Sequence, residues 1–235
     1  MEKLTKKEKK ELKKLEREQQ FEKENKKKTY QKFAYWIAGI VVLALIIWGI
    51  VAAASSTKNQ ESIVPPISSN DIATGSATAK ANLIEYADFE CPACATYSKY
   101  IELMKGDFPE DLRVVYRFFP LPQHKLISSQ VAYAAYKQGK FWEMNKLLYD
   151  NQTTWVESSD PNPIFDDYAK QLNLDLDKFH QDQNADSTKK FIEDEYNKGL
   201  NIGIDHTPTF YLNGREVEPS SYEDFKSLVE QEINK

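Results

Sequence analysis

The sequence predicts an α/β domain with a central sheet and a helical insertion subdomain, preceded by a single transmembrane helix. Three observations carry that expectation. Residues 33–54 pass without one charged side chain. From position 81 the apolar pattern runs strand, helix, strand, long helical stretch, hairpin, helix, an order that argues for a sheet with helices packed on it. The only two cysteines, Cys91 and Cys94, stand where the first of those strands meets the first of those helices.

In chain order, residues 1–32 hold 13 Lys and Arg against 7 Glu, a net of +6, leaving −11 for the rest of a chain whose total is −5. The segment is mostly Lys, Glu and Gln, and its few apolar residues are too sparse for a heptad seam. It is expected to be a solvated cytoplasmic tail, helical or disordered. Because the folded part carries no basic patch, nucleic acid is not an expected partner. Residues 33–54 (FAYWIAGIVVLALIIWGIVAAA) would form a helix roughly 33 Å long, enough to cross a hydrocarbon core of about 30 Å. Tyr35, Trp36 and Trp48 lie near its ends, where amphipathic rings favour the interface. Lys26, Lys27, Lys28 and Lys32 abut its start and Lys58 alone follows its end closely, so the N-terminus is expected inside and the remainder outside the cell membrane. Ala52-Ala53-Ala54 resembles a signal-peptidase site, but the apolar core and the charged segment before it are both longer than in a signal peptide, which favours an uncleaved anchor. Residues 55–80, rich in Ser, Thr, Ala and Asn with Pro65-Pro66 and Gly75, have the composition of a flexible linker.

The globular domain is expected over 81–235. Residues 81–89 (ANLIEYADF) read as a strand, 92–105 as a helix opening at the cysteine pair, and 112–119 (LRVVYRFF) as a second strand. Over about 126–200, Val131, Ala134, Ala135, Phe141, Met144, Leu147 and Leu148 recur at three- and four-residue steps. Gly139, Pro161, Pro163 and residues 184–187 divide this stretch into several helices. TFYL and REV flank Asn213-Gly214, a dipeptide that favours the positive φ of a type I′ hairpin turn. Residues 221–234 close the chain as an amphipathic helix with Tyr222, Phe225, Leu228, Val229 and Ile233 on one face.

Two cysteines in C-x-x-C spacing suggest a redox pair or half a metal site. Zinc needs four ligands, and His124, His180 and His206 are not in finger-like spacing; no metal is expected. A structural disulfide here would close a tiny loop and constrain little of the unfolded chain. Placed just before a helix, with Pro92 in its first turn where a missing N–H does no harm, Cys91 would face unpaired backbone N–H groups and the positive end of the helix dipole. Both favour its thiolate. Cys94, one turn on, is within reach to resolve a mixed disulfide.

Thr207-Pro208 stands immediately before TFYL. DFECPAC and TPTFYLNG, in that order around a helical insertion that includes QVAYAAYKQGKFWEMNKLLYDNQ, resemble the DsbA-like branch of the thioredoxin superfamily over about 81–234. The resemblance implies a thioredoxin-like fold and thiol–disulfide exchange with no dissociable cofactor. It implies that Pro208 is cis and packs opposite the cysteine pair, with the Thr207 backbone offered to a substrate chain in strand-like pairing. Composition alone reads Thr-Pro only as an extended dipeptide.

Glu85 is a carboxylate in a strand otherwise made of Leu83, Ile84, Tyr86, Ala87 and Phe89, costly to bury without a purpose. In similar sequences an acid at this offset lies beneath the active site. Glu85 is therefore expected to carry protons to and from Cys94 with a raised pKa, the alternative being an exposed strand edge. His206 either depresses the Cys91 pKa as an imidazolium or, the favoured reading, points to solvent. Pro92 and Ala93, between the cysteines, belong to the substrate-facing surface. Ala93 has no side-chain donor, so a strongly oxidising potential does not follow from the resemblance. His124 and His180 look like ordinary loop and helix-surface residues. The acidic runs at 157–167 and 175–186 do not fit a calcium loop, and Asn151-Gln152-Thr153 matches a glycosylation sequon.

The expected function is that of an extracytoplasmic oxidase that inserts disulfides into cysteine-containing exported proteins. The resemblance implies reoxidation by a quinone-linked membrane partner. A reductase or isomerase using the same pair, a client-binding chaperone module with secondary thiol activity, and a scaffold joined through the charged tail are the alternatives.

Overall fold

Ala81–Ala87 (β2) and Leu112–Phe118 (β3) are near-continuous apolar runs, as strands covered on both faces must be. The structure, a computed structural model, describes residues 64–235. The charged tail and the apolar run at 33–54 lie outside the described residues. Within them no helix is long and apolar enough to cross a membrane.

β2 and β3 pair in parallel, Leu83 opposite Val114 and Glu85 opposite Tyr116. A parallel pair needs a crossover, which Pro92–Asp107 (α1) supplies. Thr209–Leu212 (β4) runs antiparallel along the other side of β2, and Arg215–Val217 (β5) pairs with β4. Asn213 and Gly214 turn this hairpin at φ 47° and 80°, the left-handed pair a type I′ turn requires.

A strand at Ile72–Thr74 (β1) corrects the expectation that 55–80 is linker throughout. It pairs antiparallel with β3, Ile72 opposite Tyr116, giving the sheet order β1-β3-β2-β4-β5. Three residues among Ser, Asn and Gly have no readable period; their pairing with an otherwise open edge makes them a strand. Gly75, at φ 92°, follows so closely on β3 that a Cβ there would lie 2.3 Å from the Leu112 carbonyl oxygen. Arg117, 4% exposed, staples the segment. Its Nε and Nη2 donate to the two Asp71 carboxylate oxygens at 3.1 and 3.3 Å, Nη1 to the Tyr86 hydroxyl at 2.9 Å, and Nη2 to the Pro65 carbonyl at 3.1 Å. Burial opposes ionisation of Asp71, but the hydrogen bonds and charge of Arg117 hold its carboxyl below the usual range. Breaking a buried pair leaves the other charge uncompensated. Arg117→Met is therefore expected to cost about 3–5 kcal/mol in urea denaturation and to open residues 64–74 to proteolysis.

The helical insertion comprises Ile127–Lys137 (α2), Phe141–Asp150 (α3), Gln152–Val156 (α4), Asn162–Gln171 (α5), Leu176–Asn184 (α6) and Asp186–Asn201 (α7). Expected breaks fall at Gly139 (φ 74°), at Pro161 and at Ala185, whereas Pro163 sits inside the first turn of α5, where a proline's missing N–H is tolerated. A further one, at Asn173 (φ 58°), lacks a Pro or Gly to announce it. Val131, Ala134, Ala135, Phe141, Met144 and Leu148 are buried against Phe89, Tyr116, Phe118 and Cys94, so the insertion shares its core with the end of the sheet that carries the cysteines. On the same sheet face α1 and Tyr222–Ile233 (α8) bury Ile101, Met104, Phe225 and Val229 against Leu83, Val114 and Leu212. Ile84, Tyr86, Val115 and Tyr211 occupy the opposite face. Because side chains alternate along β2, Glu85 points to the face of Leu83 and Ala87, under α1.

Candidate active site

β2 ends at Ala87, and four residues later Cys91 takes extended backbone (φ −78°, ψ 120°) as the N-cap of α1, with Pro92 at the first helical position. Its own N–H donates to the Asp88 carbonyl at 3.1 Å, and its carbonyl accepts the first helical bond from Ala95 at 3.2 Å. The Cys91 side chain carries no capping bond, so the backbone N–H groups of the first turn remain directed at its sulfur. Cys91 is 7% exposed and Cys94 fully buried, both as free thiols. Pro92 and Ala93 are exposed beside them.

Cys91 Sγ donates to the Thr207 carbonyl at 3.3 Å across the site, and the Thr207–Pro208 peptide bond is cis. Thr207 and Pro208 wall a groove of about 250 Å³ with Tyr97, Phe210, Val217 and Pro219. The two thiols have opposite electrostatics. A hydrogen bond from the Cys94 thiol, working against burial, holds Cys91 down from an ordinary 9.0 to about 5; Thr207 and the backbone N–H groups of Cys94 and Ala93 add to it. Thr207 Oγ1 is buried without a partner in the dithiol geometry, leaving its hydroxyl free for the sulfur. Burial first, then the hydrogen bond given to Cys91 and the charge of Glu85, raise the Cys94 thiol well above its ordinary value.

Glu85 is 3% exposed and its Oε1 has no hydrogen-bond partner. Burial, with the Cys91 charge second, pushes its carboxyl up to about 8. The exposed-edge alternative is thus excluded, and the expected raised pKa is present. His206 lines the groove but is turned to solvent, its side chain 60% exposed and its Nδ1 2.8 Å from Asp205 Oδ1. His180 is likewise exposed, beside Asp166.

His124 departs from expectation. Its Nδ1 lies 2.5 Å from Oδ2 of Asp88, a carboxylate 1% exposed that also accepts from the Leu121 and Glu90 N–H groups at 2.8 and 2.9 Å. Glu90 Oε1 in turn accepts from the Lys125 N–H at 2.9 Å. These contacts tie the segment after β3 to the loop before Cys91. Asp88 could have been found by the argument applied to Glu85, since it is the other acid in the same apolar run. Gln152 had no such signal. It is buried at the start of α4, and its amide donates to the carbonyls of Phe89 at 2.7 Å and Cys91 at 2.9 Å. Asn151, the sequon asparagine, uses its own amide on the Leu147 carbonyl at 2.9 Å.

A parallel-centred sheet, a dithiol at a helix N-terminus and a cis-proline facing it define a thioredoxin-fold protein. Residues 68–231 match the family model described as Thioredoxin, and the chain belongs to that family. Solved structures similar to it include α-DsbA1 of Wolbachia pipientis, at TM-score 0.64 and 21% identity over 73% of this chain and 94% of that one. BdbD of Bacillus subtilis matches at TM-score 0.61 and 16% identity over 70% and 94% of the two chains. The catalytic domain of Proteus mirabilis ScsC matches at 0.57 and 19% over 70% and 90%. At these identities the likeness is one of fold. Among curated relatives, a Na+/H+ antiporter NhaA 1 of Mycolicibacterium vanbaalenii is 34% identical over 149 residues, 61% of this chain. An NhaA of Herminiimonas arsenicoxydans is 27% identical over 191 residues, 78% of this chain. The chain spans only 23% and 30% of the length of those two relatives.

Proposed function

We propose that this protein is an extracytoplasmic thiol–disulfide oxidase that introduces disulfides into exported proteins. The observation that carries the reading is the opposed environment of the two cysteines, one thiol held down at a helix N-terminus beside Thr207 and the other buried over an unpaired carboxyl.

In the forward reaction a substrate thiolate attacks Sγ of Cys91 in the Cys91–Cys94 disulfide. The Cys91–Cys94 bond breaks, its electron pair leaves on Cys94, and a mixed disulfide forms at Cys91. Glu85, whose carboxyl is raised chiefly by burial, gives its proton to Cys94. A second substrate thiolate then attacks the substrate sulfur and releases the Cys91 thiolate. The substrate has lost two electrons and the pair has gained them. Reoxidation by a quinone-linked membrane partner returns the proton through Glu85. Thr207 and Pro208 hold the substrate backbone along the groove that His206 also lines, and Pro92 and Ala93, exposed between the cysteines, face the substrate. The cysteine pair is the only redox group required; no metal or dissociable cofactor takes part.

Stabilisation of the reduced form supports the oxidase direction. A Cys91 thiolate with pKa about 5 is favoured at pH 7 by about two pKa units. At about 30 mV per 1.4 kcal/mol this raises the potential by roughly 60 mV. The chargeless run at 33–54 supports anchoring in the bilayer with the catalytic domain outside. Acid quenching and alkylation in cells should find the pair mainly oxidised, and protease added to intact protoplasts should digest the domain. A mainly reduced pair would overturn the oxidase in favour of a reductase or isomerase, and a protected domain would overturn the location.

A further inference from the structure

Gln152 lies 61 positions from Cys91 and touches no reacting sulfur, yet both of its amide hydrogens are spent on the loop that carries the nucleophile. The Phe89 carbonyl belongs to a residue with no exposed surface, so without Gln152 it would be a buried acceptor with no donor. The Cys91 carbonyl already accepts from Ala95, and Gln152 supplies its second bond. One residue before Gln152's own helix, α3 adds another tie: the Tyr149 hydroxyl donates to the Asp88 carbonyl at 3.4 Å and lies 3.3 Å from the Tyr116 hydroxyl. Three carbonyls of the segment 88–91 are thus held by donors from the helical insertion.

We propose that Gln152 is a positioning residue of the exchange reaction, its amide fixing the backbone of Phe89 and Cys91 so that Sγ stays aligned with the first-turn N–H groups of α1 and with Thr207. The physical reason is angular. Hydrogen bonds weaken steeply as they bend, and the thiolate is stabilised by several weak donors that converge only if the Cys91 backbone is held. The two N–H dipoles also place partial positive charge beside the residue that becomes an anion. Glu85 on β2 and Cys94 on α1 act electrostatically on that anion, and Asp88 and Glu90 stand in the loop before it, with His124 on the Asp88 carboxylate. The insertion thereby acts on the thiol through the backbone of Phe89 and Cys91. This inference rests on the exchange chemistry proposed above.

Gln152→Met keeps the length of the side chain and removes both donors; Gln152→Glu keeps its shape and, once ionised, turns two donors into acceptors facing two carbonyls. Each is read in the fully reduced protein by the pH dependence of Cys91 alkylation and by the equilibrium with glutathione at pH 7. Gln152→Met should raise the Cys91 thiol pKa by about one unit and shift the equilibrium about tenfold toward the protein disulfide; Gln152→Glu should do so by more. A folded variant of either kind whose melting temperature drops while thiol pKa and glutathione equilibrium stay at wild-type values would make Gln152 a merely structural residue and overturn the proposal. Neither readout needs turnover. A wild-type protein that fails to oxidise substrates would sink the oxidase reading and leave this inference standing.

Discussion

Cys91→Ala should reduce thiol–disulfide exchange to the uncatalysed rate, whereas Cys94→Ala should retain attack and lose resolution, accumulating mixed disulfides with its substrates. The asymmetry comes from the geometry. Cys91 is the sulfur at the surface, facing Thr207, while Cys94 has no exposed area. At pH 7 a thiol with pKa about 5 is about 99% ionised, against about 1% for one at 9, and the thiolate is the nucleophile. Alkylation of Cys91 in the reduced protein should therefore be half-maximal near pH 5 and level above it. Cys94 should stay unreactive until the chain unfolds. Much of the advantage of Cys91 comes from the Cys94 thiol proton, so in Cys94→Ala the half-point of alkylation should move upward. A half-point that remains near 5 would assign the lowering to the helix N-terminus and Thr207 alone. Captured partners, separated after reduction, would name both the substrates and the reoxidising protein.

Glu85→Gln should alter stability and catalysis in opposite ways, and pH separates them. The Glu85 carboxyl titrates at about 8 in the folded chain against 4.5 when unperturbed. Between those values the folded state keeps a proton that the unfolded state has lost, so this group's contribution is full below pH 4.5 and falls by about 1.4 kcal/mol per pH unit up to about 8. Cys91 works the other way: its depressed thiol contributes stability above its ordinary 9.0 that is lost as pH falls through about 5. In the reduced wild type the two slopes nearly cancel between pH 5 and 8. Glu85→Gln leaves the Cys91 slope alone, so the reduced variant should gain stability over the wild type by about 1.4 kcal/mol per pH unit across that window, about 3 kcal/mol between pH 5 and 7. Urea denaturation of both proteins at several pH values checks this; a difference that does not change with pH would refute a buried protonated Glu85. Catalysis should suffer, because Cys94 must gain and lose a proton where water is excluded. Loss of a positioned proton carrier is expected to slow exchange by about 100-fold. Exchange at the wild-type rate would remove Glu85 from the mechanism and leave it a destabilising buried acid.

β2, α1, β3, the hairpin and α8 lie within a few residues of where periodicity, Pro92, Asn213-Gly214 and the Ser221 cap put them, because those signals act between neighbours in the chain. Local patterning likewise placed the C-x-x-C pair at a helix start. It did not identify β1, which is a strand only because β3 offers it an edge and Arg117 binds Asp71. Nor could it choose between an exposed and a buried Glu85, since facing depends on which layer covers each side of the sheet.

Local signals along the chain thus set the order of the elements and the C-x-x-C pair at a helix start, whereas the proline facing that pair is implied only by the family resemblance. Tertiary structure alone decided how that pair behaves. The Thr207 carbonyl arrives from 116 positions away, and the His124–Asp88 contact and the Gln152 clamp cross 36 and 61 positions. Thiol and carboxyl pKa values are set by burial and by donors within a few ångströms, and no period or motif along a chain states which distant residue will fill that distance.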